Sequence, residues 1–255
     1  MEVAQLVAEL RRQGELLAEA AARTDLDEPI PTCPDWTMRD LLQHVGDVHR
    51  WAAAHITERR ALGIRDVAGI AGPLPDDDDL PGWFRDGHAA LVHTLETADP
   101  DVQCWTFLPA PSPLAFWARR QAHETAIHRA DAESPSGRFT PFEPAFAVDG
   151  VDELVRGFLV RAQVDPLGEP TWILRVRATD TGDEWLARVG NQGLDLLADA
   201  AEPADCTVAA TASDLHLFLW NRLPAERVSV EGGASLLDRW RDVARITWSR
   251  PRTRA

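Results

Sequence analysis

Apolar residues recur at three- and four-residue intervals over residues 2–23, where Val3, Leu6, Val7, Leu10, Leu16 and Leu17 stand among Glu and Arg. That spacing gathers them on one side of a helix and predicts a first amphipathic α-helix. A polar, proline-containing connector follows and ends near Pro34. Thr37, with Asp40 three residues on, has the form of a capping box and predicts a second helix running to about Arg60. The apolar face of that helix is Leu41, Val45, Val48 and Ala52. His44 lies three residues from Leu41 and four from Val48, so it shares that face and is expected to point inward.

The segment from Leu62 to Pro81 contains GPLPDDDDLP, whose prolines and like charges oppose packing and predict a solvated loop. Four adjacent aspartates invite a calcium reading, but the EF-hand spacing and its glycine are absent. Gly82 to Ala98 reads as a third helix through Phe84, Ala89, Leu91, Val92 and Leu95. A fourth runs from about Ala115 to Ala132 through FWARRQAHETAIHRADAE. Four helices of this size predict a bundle.

Pro135 to Pro144 reads as a linker, and the texture then changes. WILRVRA and EWLARV alternate apolar and polar residues around an Asp-Thr-Gly-Asp turn, which predicts a β-hairpin. Cys206–Ala212 and Arg227–Val230 read as further short strands. Ser213 is the expected cap of a helix through LHLFLWNRL, and Ala234–Ile246 is a last helix with Leu236, Leu237, Trp240 and Val243 inward. The expectation is therefore two domains, an all-α domain over residues 1–138 and a smaller α+β domain over 145–250.

Composition narrows the function. A net charge of −15 across 255 residues, without a basic block, disfavours nucleic acid and anionic membrane surfaces as partners. Every apolar run is broken well short of the roughly 20 residues of a bilayer span, and MEVAQLVAELRR lacks the order of a signal peptide. A soluble, cytoplasmic protein is expected. Cys33, Cys104 and Cys206 are few and dispersed, which fits reduced thiols. All 26 basic residues are Arg and there is no Tyr, which removes lysine Schiff bases, P-loop chemistry and tyrosine acids.

The polar residues of the fourth helix carry the chemistry. Glu124 and His128 are four apart and project from one face, with Trp117, Gln121 and Asp131 within roughly 60° of Glu124. His44 brings a third group from the second helix, and two histidines with one carboxylate leave open positions on a divalent ion. H-E-T-A-I-H is not the zincin motif, because His123 and His128 are five apart, about 140° round the helix. By spacing alone, an i,i+4 polar pair on a wet face remains the alternative.

CPDWTMRDLLQHVGDVHRW resembles the opening signature of the mycothiol-dependent maleylpyruvate isomerase family, and RRQAHETAIHRADAE resembles its later Glu-x-x-x-His helix. DLHLFLWNRLPAERVSVEGGASLLDRW is similar to the family's C-terminal domain. The resemblance implies a DinB-like four-helix bundle holding a divalent metal, usually zinc, through His44, Glu124 and His128, followed by a sterol-carrier-like α+β domain. It implies mycothiol as cofactor, its sulfur held as a thiolate by the metal, and addition to the cis double bond of maleylpyruvate, rotation, and elimination to fumarylpyruvate. A regulatory protein holding thiol or metal, and a hydrolase using bound water, stay open as alternatives. The partners implied are a small substrate and the low-molecular-weight thiol, with the chain a monomer or homodimer.

Other residues have plainer readings. Arg85, Arg119 and Arg120 are the nearest cations for a carboxylate substrate, each otherwise a surface arginine. His55 returns to the face of His44 but about 16 Å along the axis, too far for the same ion, and His49 points elsewhere. Asp131 is placed to orient a ligating imidazole. Trp36 and Trp51 have core packing as their default role, and Cys33 has a place near the mouth of the bundle with nothing nearby in sequence to activate it.

Overall fold

The computed structural model describes residues 1–159, 171–190, 193–198 and 202–243. They fall into two compact units, Met1–Thr140 and a second within Pro141–Trp248.

The first unit is helical: α1 is Val3–Ala21, α2 Met38–Thr57, α3 Val67–Ala71, α4 Leu80–Thr97 and α5 Pro113–Glu133. Leu6, Val7, Leu10 and Leu17 form the buried stripe of α1, with Val3 and Leu16 only half-buried. The capping box of α2 is present as expected, Thr37 N–H donating to Asp40 Oδ2 at 2.8 Å while the Thr37 side chain accepts from Asp40 N–H. That box fixes the first turn of α2 and hence where His44 emerges. α2 stops at Thr57, short of Arg60, where Arg59 takes a left-handed backbone with φ 49°.

The 62–81 segment is not wholly a loop. It contains α3, started by Asp66, whose side chain accepts from Gly69 N–H at 2.8 Å. None of its five residues is buried, so no apolar period marked it in the sequence.

α1 packs against α5 and α4, and α2 against α4 and α5. From Phe116 to Ala132 every residue of α5 is buried except Arg119, which is half-buried. Ala118, Ala122, Ala126 and Ala130 form a four-residue row of small side chains with no exposure, the kind of row that lets a neighbouring helix approach closely. A helix buried on most of its circumference must also bury its polar residues, and each then needs a partner.

In the second unit α6 (Pro144–Asp152) continues into a π-helical stretch, Glu153–Leu159. The strands are β1 Trp172–Ala178, β2 Glu184–Gly190, β3 Gly193–Leu196, β4 Cys206–Ala210 and β5 Ser229–Gly232, in sheet order β3-β2-β1-β4-β5. β1 and β2 form the expected antiparallel hairpin, with Trp172 opposite Val189 and Arg177 opposite Glu184. Gly182 supplies the positive φ of 81° that its turn requires. β4 joins β1 in parallel, and the other pairings among the described residues are antiparallel.

Two sequence expectations need correction here. The cap of α7 (Ala212–Leu219) is Thr211, whose side chain accepts from Asp214 N–H, and not Ser213. Ser213 Oγ instead accepts from Phe142 N–H at 3.0 Å, a partner 71 residues away. The final strand begins at Ser229, after a 3-10 turn at Ala225–Arg227. α8 is Ser235–Val243, with Leu237 and Trp240 buried; the predicted continuation to Ile246 and the side chain of Val243 lie outside the described residues.

Candidate metal centre

α2 and α5 bring His44, Glu124 and His128 together. Glu124 Oε1 stands 3.5 Å from His44 Nε2 and 3.3 Å from His128 Nε2, and the two imidazoles meet edge to face with centroids 4.9 Å apart. All three residues are at most 5% exposed. Glu124 Oε1 accepts no hydrogen bond of ordinary geometry among the described residues. Donors of a four-coordinate ion, each about 2.05 Å from it, lie about 3.3 Å from one another. The spacing around Oε1 and the two-nitrogen, one-oxygen donor set both fit a small divalent cation.

The surroundings orient each group. His128 Nδ1 is 2.8 Å from Asp131 Oδ2, and Asp131 Oδ1 accepts from Thr32 Oγ1 at 2.6 Å. Asp131 therefore occupies Nδ1 and turns Nε2 toward Glu124. Arg120 is 2% exposed and donates from Nη2 to Glu124 Oε2 at 3.2 Å, leaving Oε1 for the histidines. The Trp36 ring packs 4.9 Å from His44 and lies stacked 6.0 Å from His128.

The electrostatics follow from these contacts. Burial drives Glu124 toward its neutral acid, but the hydrogen-bonding reach and charge of His128 and His44, with Arg120, outweigh it and hold the carboxyl well below its usual range. Burial likewise opposes a charged His128, and Asp131, Cys33 and Glu124 reverse this and raise its pKa well above the ordinary value. For His44 burial dominates, aided by His128, and its pKa falls despite Glu124 and Asp47.

Cys33 belongs to a neighbouring group. Among the described residues, donor atoms of Cys33, His128 and Asp131 also lie within 4.8 Å of one another, a second cluster sharing His128. Cys33 and Thr32 precede α2, and nothing in the sequence placed them beside a helix about a hundred residues on. Of the arginines considered as anchors, Arg85 is exposed, Arg119 is half-buried, and Arg120 is engaged by Glu124. His49 meets Thr125 Oγ1 at 2.9 Å, and His55 packs among Trp51, Trp105 and Trp117 away from the centre.

Residues 7–133 match the mycothiol maleylpyruvate isomerase N-terminal domain, and residues 145–239 match the MDMPI C-terminal domain. The chain belongs to this family. Among solved structures, the mycothiol-dependent maleylpyruvate isomerase superimposes with a TM-score of 0.61 at 11% identity, covering 91% of this chain and 93% of that one. A mutant of the same isomerase gives a TM-score of 0.61 at 12% identity with the same coverage. At such identities the likeness speaks for the fold: a helical N-terminal region followed by a small sheet domain. A search of curated proteins gives no match. No helix among the described residues of this family member is long and apolar enough to cross a membrane.

Proposed function

We propose that the chain is a metal- and mycothiol-dependent enzyme that acts on a small electrophile by thiolate addition, giving isomerisation or thiol transfer. The observation that carries this reading is the approach of two imidazole Nε2 atoms to one buried carboxylate oxygen, at 3.5 and 3.3 Å. Family membership supports mycothiol as the thiol. On this reading residues 1–138 form the DinB-like four-helix bundle, 145–250 the sterol-carrier-like domain, and His44, Glu124 and His128 hold the ion, zinc by donor type.

When bound, the ion lowers the pKa of a coordinated thiol so that it is a nucleophilic thiolate at neutral pH. The chain's own residues prepare the site. Glu124 is kept as a carboxylate by the two histidines and Arg120, so one negative charge stands ready in the interior. Asp131 accepts from His128 Nδ1, so that it is Nε2 that would give up its proton and turn a lone pair to the ion. Trp36 covers both imidazoles and keeps water from that side.

Purified protein should carry stoichiometric divalent metal, and a cobalt-substituted form should change its visible spectrum when mycothiol is added. Thiol-dependent turnover of maleylpyruvate or a related electrophile should follow. Metal content unaltered in a His44→Ala variant, or a cobalt spectrum indifferent to mycothiol, would refute the proposal.

A further inference from the structure

Gln121 sits one turn before Glu124 on α5. At about 100° per residue its side chain leaves the helix within roughly 20° of the direction of His128. Two contacts between α5 and α2 bracket it. On one side His128 meets His44 with ring centroids 4.9 Å apart; on the other Trp117 meets Trp51 at 5.1 Å. Gln121 therefore lies between the candidate metal centre and the aromatic cluster of Trp51, Trp105 and Trp117, opposite the part of α2 between His44 and Trp51.

Gln121 is 1% exposed, and its Oε1 is buried without a hydrogen-bond partner among the described residues. The buried amide of Gln13, by contrast, is provided for, its Oε1 accepting from Arg129 Nε at 3.0 Å. A buried acceptor left unpaired costs free energy that an apolar residue of similar shape avoids. Gln43 Oε1 is also buried without a partner, but its side chain leaves α2 about 100° from His44 and does not share that face. Among the described residues, Gln121 is the side-chain amide that combines an unmet acceptor with the face of Glu124 and His128.

We propose that Gln121 is a specificity-determining residue, its amide oxygen accepting a hydrogen bond from an N–H or O–H of the thiol held at the centre. This rests on the thiol-binding function proposed above. A thiol with a donor near its sulfur satisfies Oε1 on binding, and a thiol without one leaves it stranded. Discrimination through a lost hydrogen bond at a buried polar group is far sharper than discrimination through size.

The test uses cobalt-loaded full-length protein and two small probes: N-acetylcysteamine, which carries an amide N–H two carbons from sulfur, and 2-methoxyethanethiol, of similar reach with an acceptor only. Titrations followed through the thiolate-to-cobalt absorption should show the first binding about tenfold more tightly. Gln121→Met should bring that ratio close to one while binding of 2-methoxyethanethiol persists. The ligand-free variant should also melt at a higher temperature, because an apolar side chain replaces an unsatisfied amide. An unchanged ratio overturns the inference, and an unchanged ratio with a lowered melting temperature makes Gln121 a structural group satisfied by buried water. Gln121→Asn, which withdraws the amide by one methylene, provides the same comparison if the Met variant does not fold. Absence of any thiol absorption in the cobalt-loaded parent overturns the proposed function as well, so the two failures are told apart.

Discussion

The helical unit and the sheet unit bury similar kinds of apolar side chain and differ in the polar groups they bury with them. In the sheet unit the buried polar residues described are Glu153, Ser213 and His216. The helical unit buries His44, His49, His55, His88, His123 and His128, and with them Arg120, Glu124, Arg129 and Asp131. A buried charge is costly unless paired, so such an interior has to be either cross-braced or functional. α5 shows both solutions side by side. Arg129 is braced, by Gln13, by Glu133 and by the Thr140 carbonyl at 2.7 Å. Glu124 and His128 face a third ligand-type residue, His44, across a gap that fits a cation.

The sharpest way to break this contrast is to remove a proposed ligand. On the proposed function, Glu124→Ala and His128→Ala should each lower metal affinity by more than about a hundredfold, since three proposed protein ligands drop to two. Metal per chain after dialysis is the measurement, and retention of metal by either variant would erase the distinction drawn along α5. The bracing network should respond in the opposite currency. Arg129→Ala takes the donor from Gln13 Oε1 and the Thr140 carbonyl and leaves Glu133 held by Thr140 alone, and should cost about 3–5 kcal/mol of stability in denaturant unfolding, as loss of one partner of a buried pair does. Any Arg129→Ala protein that remains folded should still bind metal.

How far this was legible in sequence depended on whether the signal was local. α1, α2, α4 and α5 followed from apolar spacing and from the Thr37–Asp40 box, and the hairpin from alternation around Gly182. That His44, Glu124 and His128 come together was foreshadowed by a family signature that covers two short stretches. What escaped depended on distant or solvated groups. α3 buries nothing, so it has no period, and Ser213 looked like a cap because its true partner, Phe142, is far away in the chain. Thr32 and Cys33 reach the site only through the packing of the 30–36 connector. Arg120 had a surface arginine as its plainer reading and Arg129 drew no reading at all, since the alanine row that lets α5 be buried all round does not announce itself in an amphipathic pattern.

A smaller effect sharpens the same boundary. Asp131 touches no ion in the proposed arrangement and would reach the centre through His128 Nδ1. Asp131→Asn keeps the shape and Thr32 contact while removing the charge, and it should weaken metal binding about 10- to 100-fold, a larger loss than its effect on the unfolding free energy of the metal-free protein. Competition with a chelator measures the first quantity and urea unfolding the second. An equal loss in both would make Asp131 part of the bracing network.

The smallest effect expected is on acid stability, and it comes from histidines outside the proposed ligand set. Burial, then the neighbouring charge of His88, holds the pKa of His49 well below the ordinary 6.5, and burial lowers that of His88 although the Leu10 carbonyl, 3.0 Å from Nε2, opposes it. Glu15 also opposes the shift at His88 and Arg11 assists it, while Arg50 assists and Glu124 opposes it at His49. The ring of His88 fills the space against Gly14, where a Cβ would come within 2.2 Å of Nε2, so protonation cannot be relieved by an easy move into that space. Both folded pKa values are depressed, so the folded state binds fewer protons than the unfolded chain below pH 6.5. Stability is then full above 6.5 and is lost as pH falls from 6.5 toward the folded values, by at most about 1.4 kcal/mol per pH unit for each histidine. Urea unfolding of the metal-free protein at pH 7.5 and 5.5 should show His88→Gln, which can still donate to the Leu10 carbonyl, less sensitive to acid than the parent by the share of one group. A His88→Gln variant as acid-sensitive as the parent would place the sensitivity elsewhere in the helical unit.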